Sequence, residues 1–413
     1  LSNHKWLCGL SLLYFLWTLP ALGDPAIKSG DRITFLGGTF VERMQIHGHF
    51  EAEIRTRLDG DVTVKNLGWA GDNVLGESRA VFGTIEKGME RLVSDMELTN
   101  PTVIIICYGA NEAHAGREGI PRFKEQLHSL CTKLARFEAR LIFVAPRPYE
   151  TLGPPLPAPD AYNNVLLDYS AAIAHEAAQH NAHFVDLASL DPQVTNKTLE
   201  SSSNTGPWIL EEHTGLTSNG VHLTSYGYWR LAGPFADALE LPRKTLAISI
   251  KDNVASASGF TGVTANRSDN KFVIDAKPDQ LQLSPLRKLN NAPARSFRLT
   301  VGGLPKGKYQ IASGDQTIAN VSSRELADGI DLSYPVNDAQ VDDLRNAIIS
   351  KNMMFFHRHR PQNETYLFLF RKHEQGNNAT EVPEFDPIVE DLDRRIYELS
   401  KSRSTRLTVS PLK

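Results

Sequence analysis

The chain has 413 residues, with 44 Lys and Arg against 48 Asp and Glu and a formal charge of −4. At 22% charged and 41% hydrophobic residues it is a folded protein, since disorder goes with fewer apolar residues and a larger net charge, and at about 150 residues per domain its length corresponds to about two to three domains. An isoelectric point near 6.4 leaves no clustered excess of Lys and Arg to neutralise phosphates, so nucleic acid is not an expected partner.

His4 and Lys5 precede an apolar run from Leu7 to Trp17, followed by Pro20 and the small-residue pattern Ala21-Leu22-Gly23. This pattern reads as a secretory signal over residues 1–23. The run is shorter than the roughly 20 apolar residues of a membrane span, so the expectation is an exported protein, periplasmic or extracellular, without a stable membrane span. Cys8 lies within the signal. The two remaining cysteines, Cys107 in an apolar strand and Cys131 in a helical pattern, read as buried free thiols, and neither a disulfide framework nor a zinc spacing is present.

Residues 24–241 alternate strand and helix. A β-branched and aromatic run, DRITFLGG, ends at Gly37-Gly38, and apolar residues at helical spacing follow in TFVERMQIHGHFEAEIRTRL. Strand alternation returns in DVTVKNLG. The cycle continues with helix over GTIEKGMERLVSDMELTN, strand in PTVIIICYGANE, helix in IPRFKEQLHSLCTKLARF and strand in ARLIFVAPRP. A Pro-rich loop, a helix through NNVLLDYSAAIAHEAAQHN and the strand AHFVDLASL complete it. Such alternation predicts right-handed crossovers and a parallel sheet covered on both faces, with the chemistry at the loops after the strand C-termini.

Beyond Leu241 the pattern changes to short alternating segments split by Gly, Pro and Asn/Asp turns, which predicts a small antiparallel β domain over 242–335. Residues 336–413 read as a helical C-terminal region. Its dense segment FFHRHRPQNETYLFLFRKHEQG mixes Arg358, Arg360, Asn363, Glu364, Tyr366, Arg371 and His373 with aromatics. Arginines inside apolar runs serve buried hydrogen-bond networks, so docking onto the preceding domain is expected, with sugar or anion binding as the alternative.

Three loops at predicted strand ends and one late loop hold the chemically informative residues. They are Gly37-Gly38-Thr39, Gly71 in NLGWAGD, Gly109 and Asn111 in YGANEA, and Asn219 with His222 in SNGVHLTSYGY. In order and setting these four blocks resemble the SGNH hydrolases, the GDSL esterase/lipase family, over about residues 30–240. The resemblance implies a three-layer α/β/α, flavodoxin-like domain. It also implies Thr39 at the nucleophile position, His222 as the base, Asn219 at the position of the triad acid, and an oxyanion hole from Thr39, Gly71 and Asn111. The chain departs from the family pattern at several points: Thr39 replaces Ser, Asn219 replaces Asp, Gly38 stands where Asp is usual, and Glu112 follows Asn111 where Asp is more usual.

Physical chemistry bounds what those changes cost. Thr offers the hydroxyl of Ser with one extra methyl, which crowds the turn and stiffens χ1, so Thr39 is a slower nucleophile. Histidine, with an unperturbed pKa of about 6.5, is suited to act as the base. An Asn carbonyl can accept the ring N–H but brings no charge to the imidazolium, and loss of the triad acid costs on the order of 10⁴ in rate when the wrong tautomer results. Each oxyanion donor is worth roughly 2.7–4 kcal/mol. Asp72, Glu77 or Glu42 could substitute for the missing acid, and Arg43 lies one helical turn beyond Thr39.

Each of these residues also has a plain structural role open to it. The glycines could be turn residues, Thr39 a helix N-cap, Asn111 a turn closer and His222 a loop histidine. Taken together, the blocks imply a hydrolase of small-molecule or carbohydrate esters, with acetyl esters ahead of lysophospholipid-like acyl esters, working without metal or organic cofactor. The alternative is a silent scaffold of the same fold that binds a glycan.

Overall fold

The computed structural model describes residues 25–190, 215–283 and 296–412; the expected signal at 1–23 lies outside the described residues. The first layer system is a five-stranded parallel sheet of β1 (Arg32–Gly37), β2 (Thr63–Gly68), β3 (Val103–Cys107), β4 (Arg140–Ala145) and β5 (His183–Asp186). Its order, β2-β1-β3-β4-β5, is the flavodoxin-like one.

Alternation along the strands builds the three layers. Ile33, Phe35, Val64, Val103 and Ile105 face the helices Thr39–Met44, His49–Arg57 and Ser225–Ala238, where Val41, Phe50, Ile54, Tyr228, Leu231 and Phe235 meet them. Leu36, Leu67, Ile104, Ile106 and Phe143 face the other way, onto Leu92, Met96, Phe123, Leu127, Leu130, Leu166 and Ile173 of the helices Ile85–Thr99, Ile120–Leu134 and Asp160–Gln179. Both faces are buried, as a parallel sheet requires. The stretch 39–58, which reads as one continuous helical pattern, is two helices separated at Gly48.

The later β region is larger than the sequence pattern suggests. β6 (Leu246–Lys251), β7 (Val254–Ser258), β8 (Phe260–Ser268), β9 (Lys271–Pro278), β10 (Ser296–Val301), β11 (Lys308–Ser313), β12 (Gln316–Ser322), β13 (Ile330–Ser333) and β14 (Thr405–Pro411) form two sheets, β13-β10-β6-β7 and β12-β11-β14-β9-β8. Leu246, Ile248, Ile250, Phe272, Ile274, Leu299, Val301, Ile311, Leu407 and Val409 fill the space between them. β6 and β10 pair in parallel, so the expected purely antiparallel unit is mixed.

The C-terminal region departs from a helical tail in one respect. After the helices Asp338–His359 and Phe385–Ser400, the last strand β14 inserts between β11 and β9. Only Leu407 and Val409 point inward along it, too short an alternation to read from the sequence with certainty of its place. The β unit is therefore closed by residues about 70 positions beyond the expected boundary at 335.

The two long C-terminal helices lie against the α/β domain through a buried ionic network. Lys351 Nζ, fully buried, donates to both carboxylate oxygens of Glu51 at 2.7 and 2.6 Å and to the Val64 carbonyl of β2. Asp393 accepts from Arg55 and Lys65. The segment around residue 360 also makes close contacts there. Arg360 lies 3.9 Å from the Trp69 ring centroid and pairs with Glu42, and Arg91 pairs with Glu364.

Candidate active site

The strand ends deliver three of the four sequence blocks to one edge of the sheet. Gly37 ends β1 beside β3, where a Cβ would come within 2.5 Å of the Cys107 carbonyl, so only glycine lets the two backbones approach this closely. The chain then enters the helix Thr39–Met44 with Gly38 as its N-cap and no side-chain cap bond. Thr39 is accordingly not a side-chain cap. Its Oγ1 instead accepts the backbone N–H of Gly71 at 3.0 Å. Gly71 adopts φ +72°, in the region that favours glycine.

Asn111, after β3, donates from Nδ2 to the Asp72 carbonyl at 2.6 Å. Thr39, Asn111 and His222 line a single cleft of about 180 Å³, together with Arg43, Cys107, Arg147, Tyr149, Val221 and Tyr228. The three sequence blocks and the late loop are thus brought together. A larger open groove, about 770 Å³, runs between the helices Ile85–Thr99 and Ile120–Leu134, away from all of the sequence-selected residues.

His222 sits in a turn closed by a bridge between Thr217 and Leu223. The Asn219 side chain caps that turn: its Oδ1 accepts the backbone N–H groups of His222 at 2.8 Å and Val221 at 3.1 Å. Asn219 therefore holds the loop backbone and does not bond the ring, unlike the orienting role expected of it. Among the described residues no carboxylate comes within 4.0 Å of the His222 imidazole. Burial, and then the Arg43 guanidinium, hold the His222 pKa below its ordinary 6.5, so the ring is neutral at pH 7 and able to accept a proton.

The acids proposed as substitutes are engaged elsewhere. Asp72 accepts from Arg79 Nε at 2.8 Å and the Tyr108 hydroxyl at 2.9 Å, all three buried. Glu42 accepts from the Ala70 N–H and from Arg360. Glu77 accepts from Asn73 at 2.8 Å. Glu112 accepts the Val74 and Gly109 N–H groups, each at 2.9 Å, and burial raises its pKa. Glu42, Asp72 and Glu112 fix the loops after β1, β2 and β3 in relation to one another, and Glu77 holds the loop after β2 internally, which are positioning roles.

Cys107 lines the cleft, but burial pushes its thiol well above the usual range; it stays protonated and is no nucleophile at neutral pH. Cys131 is buried and likewise pushed up, to about 12. Remote from the cleft, His128 Nδ1 and His180 Nε2 both approach Glu176 Oε1, at 2.9 and 3.0 Å, the one group among the described residues that offers a metal three ligand atoms close together.

Sequence reasoning singled out Arg43 only as a neighbour of Thr39. Its i, i+4 spacing on one helix face was the signal that it shares the cleft. Tyr149 carried no such signal, because it reaches the cleft from a distant loop, and Tyr228, the last residue of the late block, reaches it from the helix Ser225–Ala238. Among the described residues no helix is long and apolar enough to cross a membrane.

The family model for GDSL-like lipases and acylhydrolases matches residues 30–230. No curated protein matches the sequence. Among solved structures, BT4096, a gut microbial diltiazem-metabolizing enzyme, superposes with a TM-score of 0.68 at 16% identity, over 94% of this chain and 100% of that one. At that identity the likeness is one of fold, and it spans the α/β domain and the appended regions together. A catalytic mutant of Axe2, an acetylxylan esterase from Geobacillus stearothermophilus, is 18% identical over 52% of this chain and 97% of its own, with a TM-score of 0.38. A GDSL-like lipase, BT0569 from Bacteroides thetaiotaomicron VPI-5482, is 16% identical over 51% of this chain and 88% of its own, with a TM-score of 0.34. The four ordered blocks, the β2-β1-β3-β4-β5 parallel sheet and the match over residues 30–230 agree, and this part of the chain is an ester-hydrolase domain of the GDSL-like lipase/acylhydrolase family.

Proposed function

We propose that the domain hydrolyses short-chain acyl esters, carbohydrate acetyl esters foremost, through an acyl-enzyme on Thr39. The observation that carries this reading is the convergence of Thr39, Asn111 and His222 on one cleft at the C-terminal edge of the sheet. The cleft, about 180 Å³, is smaller than the roughly 300–1,000 Å³ of drug-sized ligand pockets. That size favours an acetyl group over a long acyl chain.

In this mechanism the Thr39 oxygen bonds to the ester carbonyl carbon while its proton passes to the neutral His222 ring. The carbonyl oxygen becomes an oxyanion held by the Thr39 and Gly71 N–H groups and the Asn111 amide. The alcohol leaves with the proton from His222, and water, activated by the same ring, releases the acid. Because Thr39 Oγ1 accepts the Gly71 N–H in the resting site, one χ1 rotation of Thr39 does two things. It turns the hydroxyl toward its base, and it frees the Gly71 N–H for the oxyanion.

The test is hydrolysis of p-nitrophenyl acetate and a longer-chain analogue by the wild type, Thr39→Ala and His222→Ala. Activity lost in both variants supports the reading. The second reading, a silent scaffold that binds a glycan, draws on one observation: Asn219 leaves the His222 ring without an orienting partner. Equal background turnover in all three proteins, with glycan binding retained, would establish it. Export belongs to the same proposal and is checked by N-terminal sequencing of the protein from its native host, with a start near Asp24 expected.

A further inference from the structure

Arg43 lies four residues after Thr39 on the helix Thr39–Met44, so the two side chains share one helix face, and both line the cleft with His222. Arg43 Nε is buried without a hydrogen-bond partner, and among the described residues no carboxylate lies within 4.0 Å of the guanidinium. The fully buried arginines described in the domain are, by contrast, all paired: Arg55 with Glu51, Arg57 with Glu53, and Arg79 with Asp72. The acids that share its helix or its cleft are occupied, Glu42 by Ala70 and Arg360, Asp72 by Arg79 and Tyr108, and Glu112 by the Val74 and Gly109 N–H groups.

The surroundings of Arg43 leave its charge uncompensated. It shares the cleft with the apolar walls of Phe40, Leu187, Leu223 and Tyr228, where a charge is weakly screened. Its field reaches His47 and His222, adding to the lowering of their pKa values by burial, and Tyr228, where it opposes the rise that burial causes. Arg147, the other guanidinium of the cleft, is engaged through the Pro148 carbonyl at 2.9 Å and by further partners. A half-buried guanidinium whose Nε is an open donor, in the same cleft as Thr39, is arranged to receive an oxyanion, which its planar fork binds in two parallel hydrogen bonds.

We propose that Arg43 recognises a carboxylate carried by the substrate, so that the preferred substrates of the Thr39 site are esters bearing a negative charge a few bonds from the scissile carbonyl. This inference rests on the hydrolase reading for its substrate and on geometry alone for its ligand. A carboxylate is favoured over a phosphate monoester because one open guanidinium balances one charge, whereas a phosphate group brings about −1.5 to −2 at pH 7.

The test compares p-nitrophenyl acetate with p-nitrophenyl hydrogen glutarate, both corrected for spontaneous hydrolysis, on the full chain and on Arg43→Gln. The wild type is expected to favour the charged ester in kcat/KM by at least about tenfold, and Arg43→Gln to bring that ratio near unity. A wild-type ratio near unity, or one unchanged in Arg43→Gln, overturns the proposal. Calorimetric titration with glutarate and with inorganic phosphate separates this inference from the hydrolase reading. If no ester turns over, glutarate binding that is lost in Arg43→Gln, with its circular dichroism and melting temperature unchanged, still supports the carboxylate site while the hydrolase reading fails. Absence of glutarate binding, or tighter binding of phosphate, overturns it.

Discussion

Asn219 Oδ1 accepts the backbone N–H of His222 at 2.8 Å, and thereby holds the loop that carries the histidine while leaving the ring alone. Aspartate at this position keeps the side-chain oxygen that accepts both backbone N–H groups and adds a charge beside the imidazole. Asn219→Asp is therefore expected to raise kcat on p-nitrophenyl acetate by at least about tenfold, toward the rate that a charged orienting residue supports. Asn219→Ala removes the acceptor of two N–H groups and is expected to lower unfolding stability by about 0.5–1.5 kcal/mol, read by urea titration.

Thr39 Oγ1 is tied to Gly71 in the resting site, and its extra methyl restricts the rotation that would release it. Thr39→Ser keeps the hydroxyl and loosens χ1, so kcat is expected to rise with KM little changed. Thr39→Ala is expected to reduce turnover by at least about 10²-fold, to the level left by the oxyanion hole and binding alone. Steady-state kinetics on the acetate ester distinguish the two outcomes.

The His222 pKa is lowered first by burial and second by Arg43. A general base works in its neutral form, so kcat/KM should rise with pH along an acidic limb whose midpoint lies below the ordinary value of 6.5. In Arg43→Gln one of the two causes is gone, and the midpoint is expected to move up toward 6.5 without passing it. A pH–rate profile from pH 4 to 8 measures both.

His47 stacks on Tyr228 at 4.8 Å between centroids, and its pKa is lowered to about 3 by burial and by Arg43 and Arg345. The unfolded chain binds this proton near pH 6.5, the folded chain only near pH 3. Between those values acid therefore favours unfolding, by at most about 1.4 kcal/mol per pH unit from this one group. The stability is intact above 6.5 and is lost as the pH falls. In His47→Phe, which keeps the ring contact and has no proton to bind, the fall of melting temperature from pH 6.5 to pH 4 is expected to be shallower, with His49 supplying part of the remaining slope.

Lys351 and Glu51 form a fully buried pair across the contact between the C-terminal helices and the α/β domain. Lys351→Ala leaves the Glu51 carboxylate buried with one cation fewer. The expected cost is about 3–5 kcal/mol, seen as a lower urea midpoint and as faster proteolytic release of residues beyond Asp338.

The α/β order was legible because its strands are short apolar or alternating runs set between stretches of helical spacing, and local pattern suffices for both. That Thr39, Gly71 and Asn111 share one edge was legible because their blocks sit at strand ends, and the late-loop block of His222 was placed with them by the order of the four blocks. The place of β14 was not, since its two inward residues, Leu407 and Val409, acquire meaning only beside Ile274 and Ile311. The candidate acids Asp72, Glu42 and Glu77 had the right chemistry and the right neighbourhood, and their partners Arg79, Ala70, Arg360 and Asn73 decided otherwise.

By itself the sequence determined the parallel sheet, the family matched over residues 30–230 and the residues gathered at one edge of that sheet, because periodicity and motif order are properties of neighbours along the chain. Tertiary structure alone decided that Asn219 grips a backbone, that Arg43 stands unpaired beside Thr39, and that Lys351 reaches Glu51 from 300 residues away. Pairing and desolvation of a charge depend on which surfaces meet in space, and no local pattern carries that.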